Sequence, residues 1–191
     1  FRFGAGVQNI QRGMVPRIAG RSYAIEADVE IPDDGAEGVL VANADFIGGF
    51  SLWVDGDGRL NHTYSFLGVD TYKAVSESAL PAGRTTLKML FEATENKPGA
   101  GGKVTLWAGD DQIGEGVMEH TVPIAFTSYA GMDIGCDNGL VADLAYEAHA
   151  PYAFTGTLHE VLFDLQPVTH DEAQALHAHE HHHSVGQSVA G

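Results

Sequence analysis

Apolar and polar residues alternate with a period of two through most of this chain. The pattern is cleanest over 48–66, GGFSLWVDGDGRLNHTYSF. Phe50, Leu52 and Val54 share one face of a first segment. Leu60, His62, Tyr64 and Phe66 alternate with Asn61, Thr63 and Ser65 in a second. Asp55-Gly56-Asp57-Gly58 lies between them, where glycine supplies positive φ and aspartate tolerates it, so the stretch predicts a β-hairpin. The same grammar recurs. In 22–31, Tyr23, Ile25, Ala27, Val29 and Ile31 oppose Ala24, Glu26, Asp28 and Glu30, the pattern of an antiparallel strand with one wet face. Further strands are predicted over 38–44, 71–76, 84–93, 103–108, 112–120, 124–127, 132–135 and 154–165. A long irregular loop is predicted over 137–151.

About ten to twelve short strands with turn signals between them predict an all-β fold: an antiparallel two-sheet β-sandwich or jelly roll, concanavalin-like. Residues 1–20, broken by Gly4, Gly6, Gly13, Pro16 and Gly20, are expected to be an irregular opening segment, and 21–166 the sandwich. After Pro167 the period changes. The stretch THDEAQALHAHEHHHSVGQSVAG is polar, rich in histidine and compatible with a short helix, so 167–191 is expected to be a tail.

Charge narrows the partners. The 191 residues carry 26 acidic and 10 basic side chains, a formal net charge of −16. This argues against nucleic acid and against anionic membrane surfaces, because no basic patch exists to displace counterions. No stretch has the length and apolarity of a membrane helix, and the opening FRFGAGVQNI shows no basic region followed by an apolar run. The single cysteine, Cys136, rules out an internal disulfide framework and leaves the compartment open.

Candidate chemistry is sparse. In the tail, His177 and His181, and His179 and His183, are i,i+4 pairs that a helix would hold on two faces, a spacing at which neutral imidazoles share Zn, Ni or Cu. A polar tract with incidental metal affinity, or a vestige of cloning, is the commoner reading of such a run. Asp133, Asp137 and Asp143 offer hard oxygen ligands for Ca²⁺ on an irregular loop, although turn-forming aspartate is the commoner use of such residues. Cys136 has no visible activating cation, and no G-x-S-x-G, P-loop or dinucleotide fingerprint occurs. Glu26, Asp28 and Glu30 form an outward acidic row, solvated or available for glycoside chemistry. Among aromatic residues, Trp53, Trp107, Tyr64 and Tyr72 are candidates for contact with a glycan or a protein partner. Trp53 shares a face with Ser51 and Trp107 with Thr105, so each indole either faces outward or lies under a loop.

An ordered run of blocks adds a resemblance. RIAGRSYAIEADVEIPDDG, GGFSLWVDGDGRL, LPAGRTTLKMLFE, GMDIGCDNG and PYAFTGTLHEVLFDL lie in a region, roughly 9–165, that resembles the C-terminal β-sandwich of large bacterial arylsulfatases. The resemblance implies a concanavalin-like jelly roll packed against a sulfatase catalytic domain. In a bacterium, it would work in the cytoplasm, periplasm or outside the cell. The formylglycine motif C/S-x-P-x-R is absent, since the only cysteine reads Cys136-Asp137-Asn138-Gly139-Leu140, so no catalytic residue carries over. The implied role is a non-catalytic accessory domain whose partner is a sulfatase-like catalytic domain or another copy of itself. Two alternatives stand beside it: a structural subunit that self-assembles through its termini, and a carbohydrate-binding lectin-like module, calcium-assisted or not.

Overall fold

A computed structural model describes residues 1–45, 48–126 and 128–167. The described chain is almost entirely antiparallel β. Its strands are β1 (Arg2–Gly4), β2 (Tyr23–Ile31), β3 (Gly38–Asp45), β4 (Gly48–Val54), β5 (Leu60–Phe66), β6 (Asp70–Ser76), β7 (Gly83–Ala93), β8 (Gly102–Ala108), β9 (Asp111–Met118), β10 (Met132–Ile134) and β11 (Thr157–Leu165). They hydrogen-bond in the order β1-β11-β2-β7-β8-β9-β6-β5-β4-β3-β10. This continuous sheet curls into a jelly-roll-like sandwich, with β9 as the corner between two layers. The ring centroids of Phe50 on β4 and Phe163 on β11 are 6.2 Å apart, although several strands separate them in the sheet, so the two halves face each other.

The period-two pattern produces this core. Ile25 and Val29 of β2, Leu87 and Met89 of β7 and Leu106 of β8 point inward from one layer. Leu52, Val54 and Leu60 point inward from the other, and all of these are fully buried. Each such side chain contributes about 1.5–3 kcal/mol of hydrophobic stabilisation when fully buried. Tyr64 joins them at 1% exposure, its hydroxyl accepting from the Val122 amide at 2.8 Å. Turns fall where the sequence places them. Asp55 Oδ1 accepts from the amides of Asp57 and Arg59, and Gly58 takes φ +76°, closing the β4–β5 hairpin.

The corner is a glycine feature. β9 pairs with β6 at Val75↔Glu115 and Ser76↔Gly114. A Cβ on Gly114 would sit 2.5 Å from the Val75 carbonyl oxygen, so only glycine lets the backbones approach there.

Four sequence expectations change. The first twenty residues are not merely an irregular opening: Arg2–Gly4 forms the edge strand paired with β11, and Ile10 bridges Met132. Residues 124–126 are irregular rather than a strand, yet Phe126 still enters the core against Phe50 and Tyr64. The long loop contains a 3-10 helix, Leu144–His149, capped by Asp143. The last strand starts at Thr157, not 154. The histidine-rich tail, with His177, His179, His181 and His183, lies outside the described residues. Among the described residues no helix is long and apolar enough to cross a membrane.

Candidate functional site

The two outer faces of the sandwich are treated differently. Over β3, β4 and β5, residues 136–154 fold back as a cover. Val39, Ala42, Trp53 and Tyr146 form a second buried cluster beneath it, separate from the main core. Tyr146 meets Trp53 at 5.0 Å between centroids, and Tyr152 meets it at 6.2 Å. The cover is fastened by a polar chain. Trp53 Nε1–H donates to Thr63 Oγ1 at 3.1 Å, and that hydroxyl donates to Asp143 Oδ2 at 2.7 Å. Lys73 Nζ lies 2.6 Å from the same oxygen, while Asp143 Oδ1 accepts from the Ala145 amide. Burial alone would raise the Asp143 carboxyl, but Lys73, Thr63 and the Ala145 amide outweigh it and hold the group below the usual range.

This geometry reassigns several candidates. Trp53 does share a face with Ser51, as the alternation requires, but it is 5% exposed and lies under the loop, so no stacking surface is open there. Tyr64 belongs to the core. Tyr72, opposite it in register, is partly buried and packed against the same core. The aspartates of the predicted calcium loop are all buried, and backbone amides already occupy them. Asp133 accepts from Asn9 and Asn138, and Asp137 from Ala142 and from the Tyr146 hydroxyl. Among the described residues, no group of three or more histidine, cysteine, aspartate or glutamate side chains is placed to hold a metal ion. These aspartates organise a loop. Burial raises the Cys136 thiol, with Asp133 and Asp137 adding to the effect despite a hydrogen bond from Asn138, which is the opposite of an activated nucleophile.

Among the described residues, no such cover lies over the face of β11, β2, β7 and β8. Across it runs a groove of about 410 Å³. Arg2 and Glu160 form an ion pair at one wall. At the other, Arg84 grips Asp28 with two bonds, Nε to Oδ1 at 3.2 Å and Nη2 to Oδ2 at 2.7 Å. Glu26, Thr85, Thr86 and Leu162 complete the lining. Lys88 Nζ sits 3.2 Å from Glu26 Oε1. The Arg84 contact lowers the Asp28 carboxyl, and the Asp28 contact raises the guanidinium.

Trp107 faces the same way. It pairs with Lys88 in the β7–β8 register, and Lys88 pairs with Glu26. The outward acids Glu26 and Asp28 were visible in the sequence as a row. The groove's other charged residues, Arg2, Arg84 and Glu160, were not, because strand pairing alone brings together Arg84 and Asp28, 56 positions apart, and Arg2 and Glu160, 158 apart.

No protein-family model matches the chain, and no curated protein sequence matches it. Solved structures do. The CBM40 module of the Ruminococcus gnavus IT-sialidase, bound to α2,3-sialyllactose, aligns with 90% of this chain and 95% of its own at a TM-score of 0.54 and 14% identity. Domains LG4-5 of the mouse laminin α1 chain align with 87% of this chain and 43% of theirs, at a TM-score of 0.55 and 10% identity. The leech intramolecular trans-sialidase, in complex with 2,7-anhydro-Neu5Ac, aligns with 91% of this chain and 26% of its own, at a TM-score of 0.52 and 15% identity. At these identities the likeness establishes the fold. The chain has the antiparallel, jelly-roll-like β-sandwich fold of these neighbours. The relation to arylsulfatase C-terminal domains is matched at the level of the sandwich and no further.

Proposed function

We propose that this chain is a non-catalytic glycan-binding module whose ligand seats in the groove between Arg2 and Arg84. The observation that carries the reading is the chemistry of that groove. A sugar hydroxyl donates and accepts at once. The groove offers guanidinium donors beside carboxylate acceptors, with the exposed Thr86 in its lining and the side chain of Leu162 for a sugar's C–H face. The likeness to modules that include one bound to sialyllactose supports the same direction.

Catalysis fits the groove poorly. A glycosidase needs a carboxyl with a raised pKa as its general acid. Asp28 is held low by Arg84, Glu26 is paired with Lys88, and Glu160 is paired with Arg2.

The test is a glycan array, followed by calorimetry of 3′-sialyllactose and lactose on the wild type and on Arg84→Ala. Binding that weakens about tenfold or more in the variant is the expected result, since charge-assisted bidentate contacts are the strong ones. An array with no retained glycan, or affinity indifferent to Arg84, overturns the proposal.

A second reading, contact with a protein partner or with another copy, has its own observation. Tyr129 and Leu144 are 88% and 76% exposed, and Leu140 is 41% exposed. Ala130 and Gly139 touch, which brings the loops bearing Tyr129 and Leu140 together beside edge strand β10. Light scattering that shows only monomer at high concentration counts against the self-assembly form of this reading.

A further inference from the structure

We infer that the groove is one end of a longer site and that Trp107 forms a second subsite, stacking on a sugar ring of an oligosaccharide laid across the strands. The inference rests on the glycan reading of the groove and extends it from a single ring to a chain.

The register supplies the geometry. Leu162, Glu26, Lys88 and Trp107 occupy one row across β11, β2, β7 and β8, each opposite the next. Leu162 and Glu26 line the groove; Trp107 lies two strands beyond Glu26. Adjacent strands are about 4.8 Å apart, which puts Trp107 about 10 Å from Glu26 and about 14 Å from Leu162 along the row. A monosaccharide held between Arg2 and Arg84 stops short of the indole. An oligosaccharide running with the row reaches it, and it passes Lys88, whose ammonium is already drawn to Glu26 at the groove's edge.

The indole is prepared for such a contact. Trp107 is partly exposed, and its Nε1–H donates to Thr105 Oγ1 at 2.9 Å, which fixes the ring's orientation. On the β7 side Trp107 stays in unbroken register opposite Lys88, while on the β9 side the ladder slips past Ile113, the extra residue of a bulge in β9 opposite the indole's strand. Trp53 makes the contrast. Tyr146 and Tyr152 pack against it, whereas among the described residues no ring packs on Trp107. A rigid, amphipathic ring with an open face loses little entropy on binding, which is why tryptophan makes an effective anchor.

The test compares chain length with the indole. N-acetylneuraminic acid, 3′-sialyllactose and a sialylated pentasaccharide are titrated by calorimetry into the full chain, into Trp107→Ala, into the conservative Trp107→Phe and into Arg84→Ala. Circular dichroism checks each fold. Wild-type affinity is expected to rise about tenfold from the monosaccharide to the trisaccharide, a gain that Trp107→Ala abolishes and Trp107→Phe partly keeps. Saturating trisaccharide should also shift the indole emission of the wild type but not that of Trp107→Phe, whose remaining indole is the covered Trp53.

Trisaccharide binding that needs Arg84, shows no gain with length and ignores Trp107→Ala overturns the second subsite and leaves the groove reading standing. Binding that needs Trp107 but not Arg84 overturns both, as does a wild type that binds none of these sugars.

Discussion

His62 gives the sharpest stability prediction. It sits on the core side of β5 at 1% exposure, between Leu52 and Ala74 in register. Nδ1 lies 3.0 Å from the Ser51 carbonyl oxygen, a contact that requires the proton on Nδ1. Nε2 is buried and has no partner. Protonation would therefore add a charge and an N–H with nothing to accept it.

Burial lowers the group from its ordinary 6.5 to about 4, against the smaller opposing pull of Ser51. A histidine with a depressed folded value contributes stability that is fully present above pH 6.5 and is lost as the pH falls through about 4. The gap, at about 1.4 kcal/mol per pH unit, is worth about 3 kcal/mol. For a domain of this size that corresponds to about 6–12 °C of melting temperature.

The assay is urea denaturation of the wild type and His62→Leu at intervals from pH 7.5 to 4. The variant gives up the Ser51 hydrogen bond, about 1 kcal/mol at neutral pH. Below pH 6 its stability should fall less steeply than that of the wild type, and the two curves should converge or cross. Carboxylates common to both proteins cancel in the difference. Parallel curves, or an imidazole NMR titration with its midpoint near 6.5, would refute the reasoning.

Four further outcomes follow from the covered face. Asp143→Ala removes a helix cap and two charge-assisted contacts, so it should cost about 2–4 kcal/mol by chemical denaturation. That range allows for Lys73 being 41% exposed and able to recover water. Because the Asp143 carboxyl is held low, the wild type should keep this stabilisation above the ordinary carboxylate range and lose it on acidification, while Asp143→Asn should lack that part of the acid sensitivity. Trp53→Ala should destabilise by about 3–5 kcal/mol yet leave glycan affinity in the surviving folded protein unchanged, because its ring lies under residues 136–154. Calcium at millimolar concentration, or EDTA, should leave the melting temperature where it is, since a bound ion would have to displace the amides already donating to Asp133 and Asp137; a rise with calcium would restore a metal role to that loop.

Much of the core was legible because it depends on local alternation. Phe50, Leu52, Val54, Leu60 and Tyr64 point inward for the reason their spacing gives, a period of two on a pleated strand. Arg2–Gly4 escaped because three residues among glycines carry too little pattern to mark a strand; pairing with β11 makes them one. Phe126 shows the converse, an apolar residue that reaches the core from irregular backbone. Trp53 marks the limit of face assignment. Parity placed it correctly opposite Phe50 and Leu52, yet whether that face is wet depends on where residues 136–154 fold.

The sequence by itself determined the class of fold, the turns and the inward residues, since these follow from the preferences of neighbours a few positions apart. The acidic balance and the absence of a sulfatase motif are likewise properties of the string. Tertiary structure decided the rest. It closed one outer face with a loop pinned by Asp143, Thr63 and Lys73, and it turned three candidate calcium ligands into loop anchors. On the other face it drew Arg2, Asp28, Arg84 and Glu160 into one groove from distant parts of the chain. Those juxtapositions are set by strand order and register, long-range quantities that no local window of sequence contains.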